Sequence, residues 1–301
     1  AGRSRFPAAV HGGRDVIQLL FNGLVTGLLV ALPALALSLT FGVLRFANFA
    51  IGAMLTAGAY LIWAFNALAG WPLPAAVAAG AAGSALLALA ADWLVFRPLR
   101  DRSGVTLLVA SMGLAFVLEN AVRLAAGGAT RGYEVAASRP IRLAGLRINQ
   151  EQVLTLAVTV AALAAVWLLL RHTRLGRAMR AVADNAPLAA VRGISQSRVV
   201  AATWAVAGVL TALAGLLVGL DIGVDPLMGW NYLLPVFAAA ILGGIGQPLA
   251  AVPGALLLGV AAELSTLWLP PHYRAVVAFA LMALCLLLRP AGLFGSRWVT
   301  R

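Results

Sequence analysis

Three long runs without a charged residue set the limits on this fold. Val16–Leu44 is charge-free over 29 positions, Phe46–Ala91 over 46 and Pro226–Ala262 over 37. A helix crosses the hydrocarbon core of a bilayer with about 20 apolar residues. The first run therefore makes one pass, and each of the others is long enough for two. Strands of a membrane barrel would alternate apolar and polar residues over about ten positions. These runs are apolar on all sides, so they are read as helices, and the chain as an all-α polytopic membrane protein. The charged fraction, 11%, is far below the roughly 25% of an average soluble domain.

About nine hydrophobic segments emerge, within a range of eight to ten. They lie near 16–44, 48–69, 74–96, 104–126, 152–171, 199–220, 232–246, 250–269 and 272–289. The second and third are divided at Trp71-Pro72-Leu73-Pro74, where two prolines break a helix. The seventh and eighth are divided at Gly243-Gly244-Ile245-Gly246-Gln247-Pro248, by proline again and by glycine flexibility. Segment 104–126 carries Glu119 and Arg123, and 232–246 is short enough to be re-entrant. The whole of 1–301 reads as a single transmembrane domain, with halves at about 16–171 and 199–289 joined by the loop 172–198.

The net charge is +12. In a soluble protein that would suggest nucleic acid. Here the arginines fall between hydrophobic runs, where the positive-inside bias puts them, so the expected surroundings are membrane lipid and no nucleic acid. Placing the loop 171–198 in the cytoplasm puts the N-terminus outside, the C-terminus inside, and 13 of the 22 arginines on the cytoplasmic side. Two polar breaks, one at Asn48 and one over Asp221–Asn231, then fall on opposite faces, as in transporters built from inverted repeats. The single cysteine, Cys285, has no intrachain partner and reads as a small core residue. The N-terminal stretch Ala1–Arg14 is basic. The apolar run behind it is too long for a signal-peptide core and has no clear cleavage site, so no cleavage is expected.

The loop 171–198 carries the most information. Asp184 or Asn185 can cap a helix, and Pro187 suits its first turn. Ala189 and Ala190 continue it with a smooth small-residue face, and Gly193 is a natural stop. A helix of about two turns is expected there. At this point the chain resembles the permeases of ABC importers. The loop is similar to their EAA-type coupling segment, and the wider match is to branched-chain amino acid permeases of the LivH type. Four further stretches agree in order: Asn22-Gly23-Leu24 through Phe41-Gly42-Val43 to Asn48-Phe49-Ala50-Ile51-Gly52; Arg97-Pro98-Leu99-Arg100; Leu242-Gly243-Gly244-Ile245-Gly246 with Pro253-Gly254-Ala255 and Leu258-Gly259; and Arg289-Pro290-Ala291-Gly292-Leu293-Phe294-Gly295. Two departures stand out. Position 51 is Ile where the family commonly has His, and Glu119-Asn120 replaces a common Gln-Asn pair.

The resemblance implies a type II-like importer permease fold and alternating access for a small polar solute: a branched-chain amino acid or a related amino acid, amide or urea-like compound. It also implies two cytoplasmic ATPases gripping the segment Asp184–Gly193, a second homologous permease or a second copy of this one, a periplasmic solute-binding protein, and a place in the bacterial inner membrane. The residues themselves add one point. A Walker A loop needs a lysine, and this chain has none, so ATP is expected on partner subunits and no cofactor on this one.

Ionisable and polar residues inside a membrane are costly and suggest function. Asn48, Glu119, Asn120 and Glu263 are the candidates for the translocation path. Each also has a structural alternative. Asn48 can cap the next helix, Glu119 can pair with Arg123 one turn on, and Glu263 can lie beside Arg274. Gly52, Gly58, Gly243, Gly244 and Gly259 are expected to allow close helix packing. His11, His172 and His272 lie in loops or at segment ends without metal-ligand spacing, and no catalytic constellation is present. The other reading is a self-contained secondary transporter or channel, which would need buried acids or broken helices around an ion site.

Overall fold

The computed structural model describes residues 13–135, 141–143, 146–289 and 291–294. The basic N-terminal stretch with His11, the positions 136–140, 144 and 145 of the longest loop, Pro290 and the C-terminal residues from Gly295 lie outside the described residues. Among the described residues ten α-helices follow in chain order: α1 (Gly13–Leu44), α2 (Ala50–Trp63), α3 (Leu73–Ala91), α4 (Gly104–Ala126), α5 (Gln150–His172), α6 (Arg174–Val191), α7 (Gln196–Ile222), α8 (Met228–Gly243), α9 (Ala251–Leu264) and α10 (Arg274–Leu288). One wider π turn prolongs α2 to Leu68, and another prolongs α3 to Phe96. Eight of these units are long and apolar enough to cross a membrane, and α8 is a shorter apolar helix. An antiparallel pair of three-residue strands, β1 (Ile141–Leu143) and β2 (Leu146–Ile148), lies between α4 and α5. It interrupts the helical order, and no hydrophobic run announces it.

Local chemistry explains most of the boundaries. Ser103 accepts from the Thr106 N–H and opens α4, and Asn149 and Gln152 form a reciprocal cap on α5. Gly127 and Gly223, with φ of +81° and +91°, end α4 and α7. The core is built around α1, whose residues from Leu28 to Leu39 are all buried. It packs along α9 and α7, while α2 and α3 lie against α7 and α8 lies against α9. The helices α3, α4, α5 and α10 are mostly exposed and form the periphery of the bundle. An added Cβ at Gly52, Gly58, Gly243 or Gly259 would fall 2.5, 2.6, 2.1 or 2.3 Å from the backbone of a neighbouring segment. These four serve the close packing expected of them, and Gly244, at φ +122°, instead terminates α8.

The connections sort into two ends of the bundle. At one end Arg45 donates to the carbonyls of Ala183 and Asp184, and Gly42 touches Gly246. Phe46, Phe96 and Trp204 stack in a buried row there, with centroids 5.3 and 4.8 Å apart. At the other end Arg131 and Val224 form a two-way backbone bridge. Asn66 donates to Trp71 O and accepts from the Glu134 N–H, and the Tyr133 hydroxyl donates to Ala59 O. Burial pushes the Tyr133 phenol up, which keeps it a neutral donor.

Candidate functional site

The segment expected to couple to the ATPases lies at the Arg45 end, within a helix longer than the two turns expected. Thr173 caps α6 by accepting from the Gly176 N–H, and the buried side chains of Met179 and Val182 seat its first half on the bundle. At Asn185 the backbone leaves the helix, with φ −153° and ψ 98°, and a second short helical stretch continues to Val191. The residues Asp184–Gly193 are thus the far limb of a kinked element. Of the two candidate caps, Asn185 acts: its Oδ1 accepts from the Leu188 N–H at 3.0 Å. Pro187 sits in the first turn of the new limb, where its missing N–H costs nothing to that limb. Gly193 closes it at φ +81°, its N–H donating to Ala190 O while the Ile194 N–H donates to Ala189 O.

The outward face of this limb differs from the small-residue face expected. Ala189 is buried, because it lies on the side of the turn that rests on the bundle. What projects is Ala190 flanked by two larger apolar side chains, Leu188 at 57% and Val191 at 84% exposure. The face is an apolar knob and not a smooth alanine surface.

The four path candidates do not converge. Asn48 is fully buried and its Oδ1 accepts from the Ala50 N–H, so it caps the first turn of α2. Glu119 pairs with Arg123 at 2.9 Å on the surface of α4. Glu263 is buried, pairs with Arg274 at 2.9 Å and accepts from the Thr26 hydroxyl, tying α1, α9 and α10 together. Asn120 alone is exposed within a membrane-spanning helix, its amide donating back to Phe116 O. Phe116 in turn packs on Trp230, 5.7 Å away at the start of α8, beside the exposed Asn231. Two exposed asparagines thus flank an aromatic contact between α4 and α8. Asn231 was missed in the sequence because it follows a polar loop and reads as part of it.

The profile of the family described as "Branched-chain amino acid transport system / permease component" matches residues 19–286. The chain belongs to this permease family. It is 33% identical to the high-affinity branched-chain amino acid transport system permease protein LivH of Escherichia coli (strain K12), covering 93% of this chain and 95% of that protein. It is 31% identical to the corresponding permease BraD of Pseudomonas aeruginosa, again over 93% and 95%. Among solved structures, PsaBC from Streptococcus pneumoniae in complex with Fab aligns over 90% of this chain and 91% of that chain, at 14% identity and a TM-score of 0.49. The permease is a multi-pass subunit of an ABC importer and not an enzyme. Importers of this kind work with ATPases and a substrate-binding protein. The self-contained transporter considered from the sequence is therefore set aside.

Within the permease, Arg45 is the second residue that sequence reasoning missed. It was counted only as a loop charge, yet it is the side chain that fastens the kink of α6 to the end of α1. Its position as the lone charge between two apolar runs was the available signal.

Proposed function

We propose that this permease carries a branched-chain amino acid, or a related amino acid, amide or urea-like solute, inward across a bacterial inner membrane by alternating access. Two ATPases, which hold the ATP, dock at the Arg45 end and pull on the far limb of α6. A periplasmic binding protein delivers solute at the Tyr133 end. A second permease, homologous or identical, covers the exposed face of α4 and α8, and the path runs along Asn120 and Asn231. The observation that carries this reading is the Leu188–Val191 knob. A pair of well-exposed apolar side chains on a capped limb, fastened to the core by Arg45, suits a protein groove.

The test is Ala190→Glu in the chain co-expressed with its ATPases and its partner permease, assayed with the binding protein present. A charge placed between Leu188 and Val191 should abolish uptake of labelled leucine into proteoliposomes and strip the ATPase on purification, with membrane insertion near normal. Gly128→Glu at the opposite end, where an added Cβ meets nothing within 4 Å, is the tolerated control. Normal uptake with ATPase bound would remove the docking role from this limb. Uptake of an amide or urea in place of leucine would move the solute class and leave the coupling intact.

A further inference from the structure

Where α3 leaves the bundle beside the start of α7, at the Arg45 end, a cleft of about 300 Å³ opens. Three arginines line it. Arg100 is committed: its guanidinium holds both oxygens of Asp92, at 2.8 and 3.0 Å. Arg97 and Arg198 are exposed, and neither side chain has a hydrogen-bond or ion-pair partner among the described residues. With Asp92 neutralised by Arg100, the cleft keeps two uncompensated cations. The first turn of α7 adds to them. Ser195 O takes the Val199 N–H, and the N–H groups of Gln196, Ser197 and Arg198 precede the first helical bond. Ser197 and Arg198 line the same cleft, so the positive end of the α7 dipole lies beside the guanidinium groups.

The other wall says where such an anion comes from. Trp93 lines the cleft and is 63% exposed, next to Leu94 at 65% and one helix face from Leu86 at 66%. Exposed leucines on a spanning helix face acyl chains, and tryptophan at their edge marks the headgroup level. Leu89 and Ala201 make the floor apolar. We propose that this cleft is a binding site for the phosphate-bearing headgroup of an anionic phospholipid in the leaflet at the Arg45 end. Arg97, Arg198 and the α7 amides take the phosphate, Trp93 lies against the glycerol region, and an acyl chain descends past Leu86. The site would hold the ends of α3 and α7 together beside α6, so the lipid stabilises the surface on which the ATPases act.

The test is retention of lipid by the full chain purified in detergent, read by native mass spectrometry after exchange into equal phosphatidylglycerol and phosphatidylcholine. The chain should keep phosphatidylglycerol in preference. Arg97→Gln with Arg198→Gln should lower that preference about 25-fold, since one basic residue near an anionic surface contributes about fivefold. Arg147→Gln, at the opposite end, should change nothing. Ten millimolar inorganic phosphate should fail to displace the lipid; displacement would make this a free-phosphate site and overturn the lipid assignment. Equal retention of both lipids, or full retention by the double variant, would overturn it as well. If the double variant keeps phosphatidylglycerol but loses a co-purifying ATPase, the cleft is a protein contact and the proposal fails. An Ala190→Glu chain that loses its ATPase but keeps its lipid would separate this site from the coupling limb.

Discussion

Pro187 has no N–H to offer the carbonyl of Ala183, and the Leu188 N–H is diverted to Asn185, so Asp184 O is stranded too. Arg45 answers both, at 2.9 and 3.2 Å. A hydrogen bond to a charged group contributes about 1.5–3 kcal/mol when shielded, and less at an exposed site such as this. Arg45→Ala should therefore leave insertion intact while loosening the limb: ATPase co-purification falls several-fold, and Arg102→Ala at the same end leaves it unchanged. Equal losses in both would reduce Arg45 to a loop charge. The contact between α2 and α8 makes a second, steric case. An added Cβ on Gly229 would sit 1.9 Å from Gly52 O, against backbone that cannot swing aside, whereas one on Gly113 meets nothing within 4 Å. Gly229→Ala should cut the yield of folded, monodisperse protein sharply. Gly113→Ala should keep it, or raise thermal stability by up to about 1 kcal/mol of helix propensity. At this scale the chain was partly legible. Asn185, Pro187 and Gly193 carry their roles in their chemistry, because capping, a missing N–H and a left-handed stop are local properties. The burial of Ala189 and exposure of Leu188 were not legible, since a limb this short has too few turns to show a period.

Apolar length, with prolines marking two of the divisions, located the eight spanning helices found among the described residues, because a bilayer demands that length whatever the tertiary contacts are. What it could not show is where two helices merge or where a helix bends. The Arg174–Asp184 half of α6 was read as a basic loop, since its arginines hide the buried stripe of Met179 and Val182. The strands β1 and β2 are too short for alternation to register. Helix α4 shows how exposure changes the reading of a polar residue. Val109, Gly113, Phe116, Asn120 and Leu124 lie along one exposed face. An amide turned to lipid would be costly, and Asn120 satisfies only part of its capacity by donating to Phe116 O. Asn120→Leu separates two outcomes. If the face borders the path, uptake falls with the fold intact. If it borders lipid, the variant is more stable and fully active. The first is expected, and a stabilised, active variant would move the path elsewhere.

The two polar breaks seen in the sequence come together in the whole molecule. The link at 45–49 starts from the Arg45 end, the link at 223–227 from the Tyr133 end, and the helices they open, α2 and α8, meet at Gly52 and Gly229, with Thr56 accepting from the Gly229 N–H at 3.0 Å. Helix α8, with 16 residues, is about 24 Å long at 1.5 Å per residue, short of the roughly 30 Å core. The loop before it must therefore reach into the bundle, which explains why this segment looked re-entrant from its length. Every other pass alternates, so Ser195 and Gly128 lie at opposite ends. Arg45, Arg97, Arg100, Arg180 and Arg198 cluster at the Ser195 end, which the positive-inside bias assigns to the cytoplasm. In a Cys285→Ser background, a cysteine at Ser195 should react with a membrane-impermeant maleimide only in inverted vesicles, and one at Gly128 only in intact spheroplasts. Both positions are exposed and an added Cβ at Gly128 is unobstructed, so a failure to label would not come from burial. Labelling of both from one side would break the alternation of passes. Labelling from the reversed sides would keep the fold and move the α6 limb out of reach of any cytoplasmic ATPase.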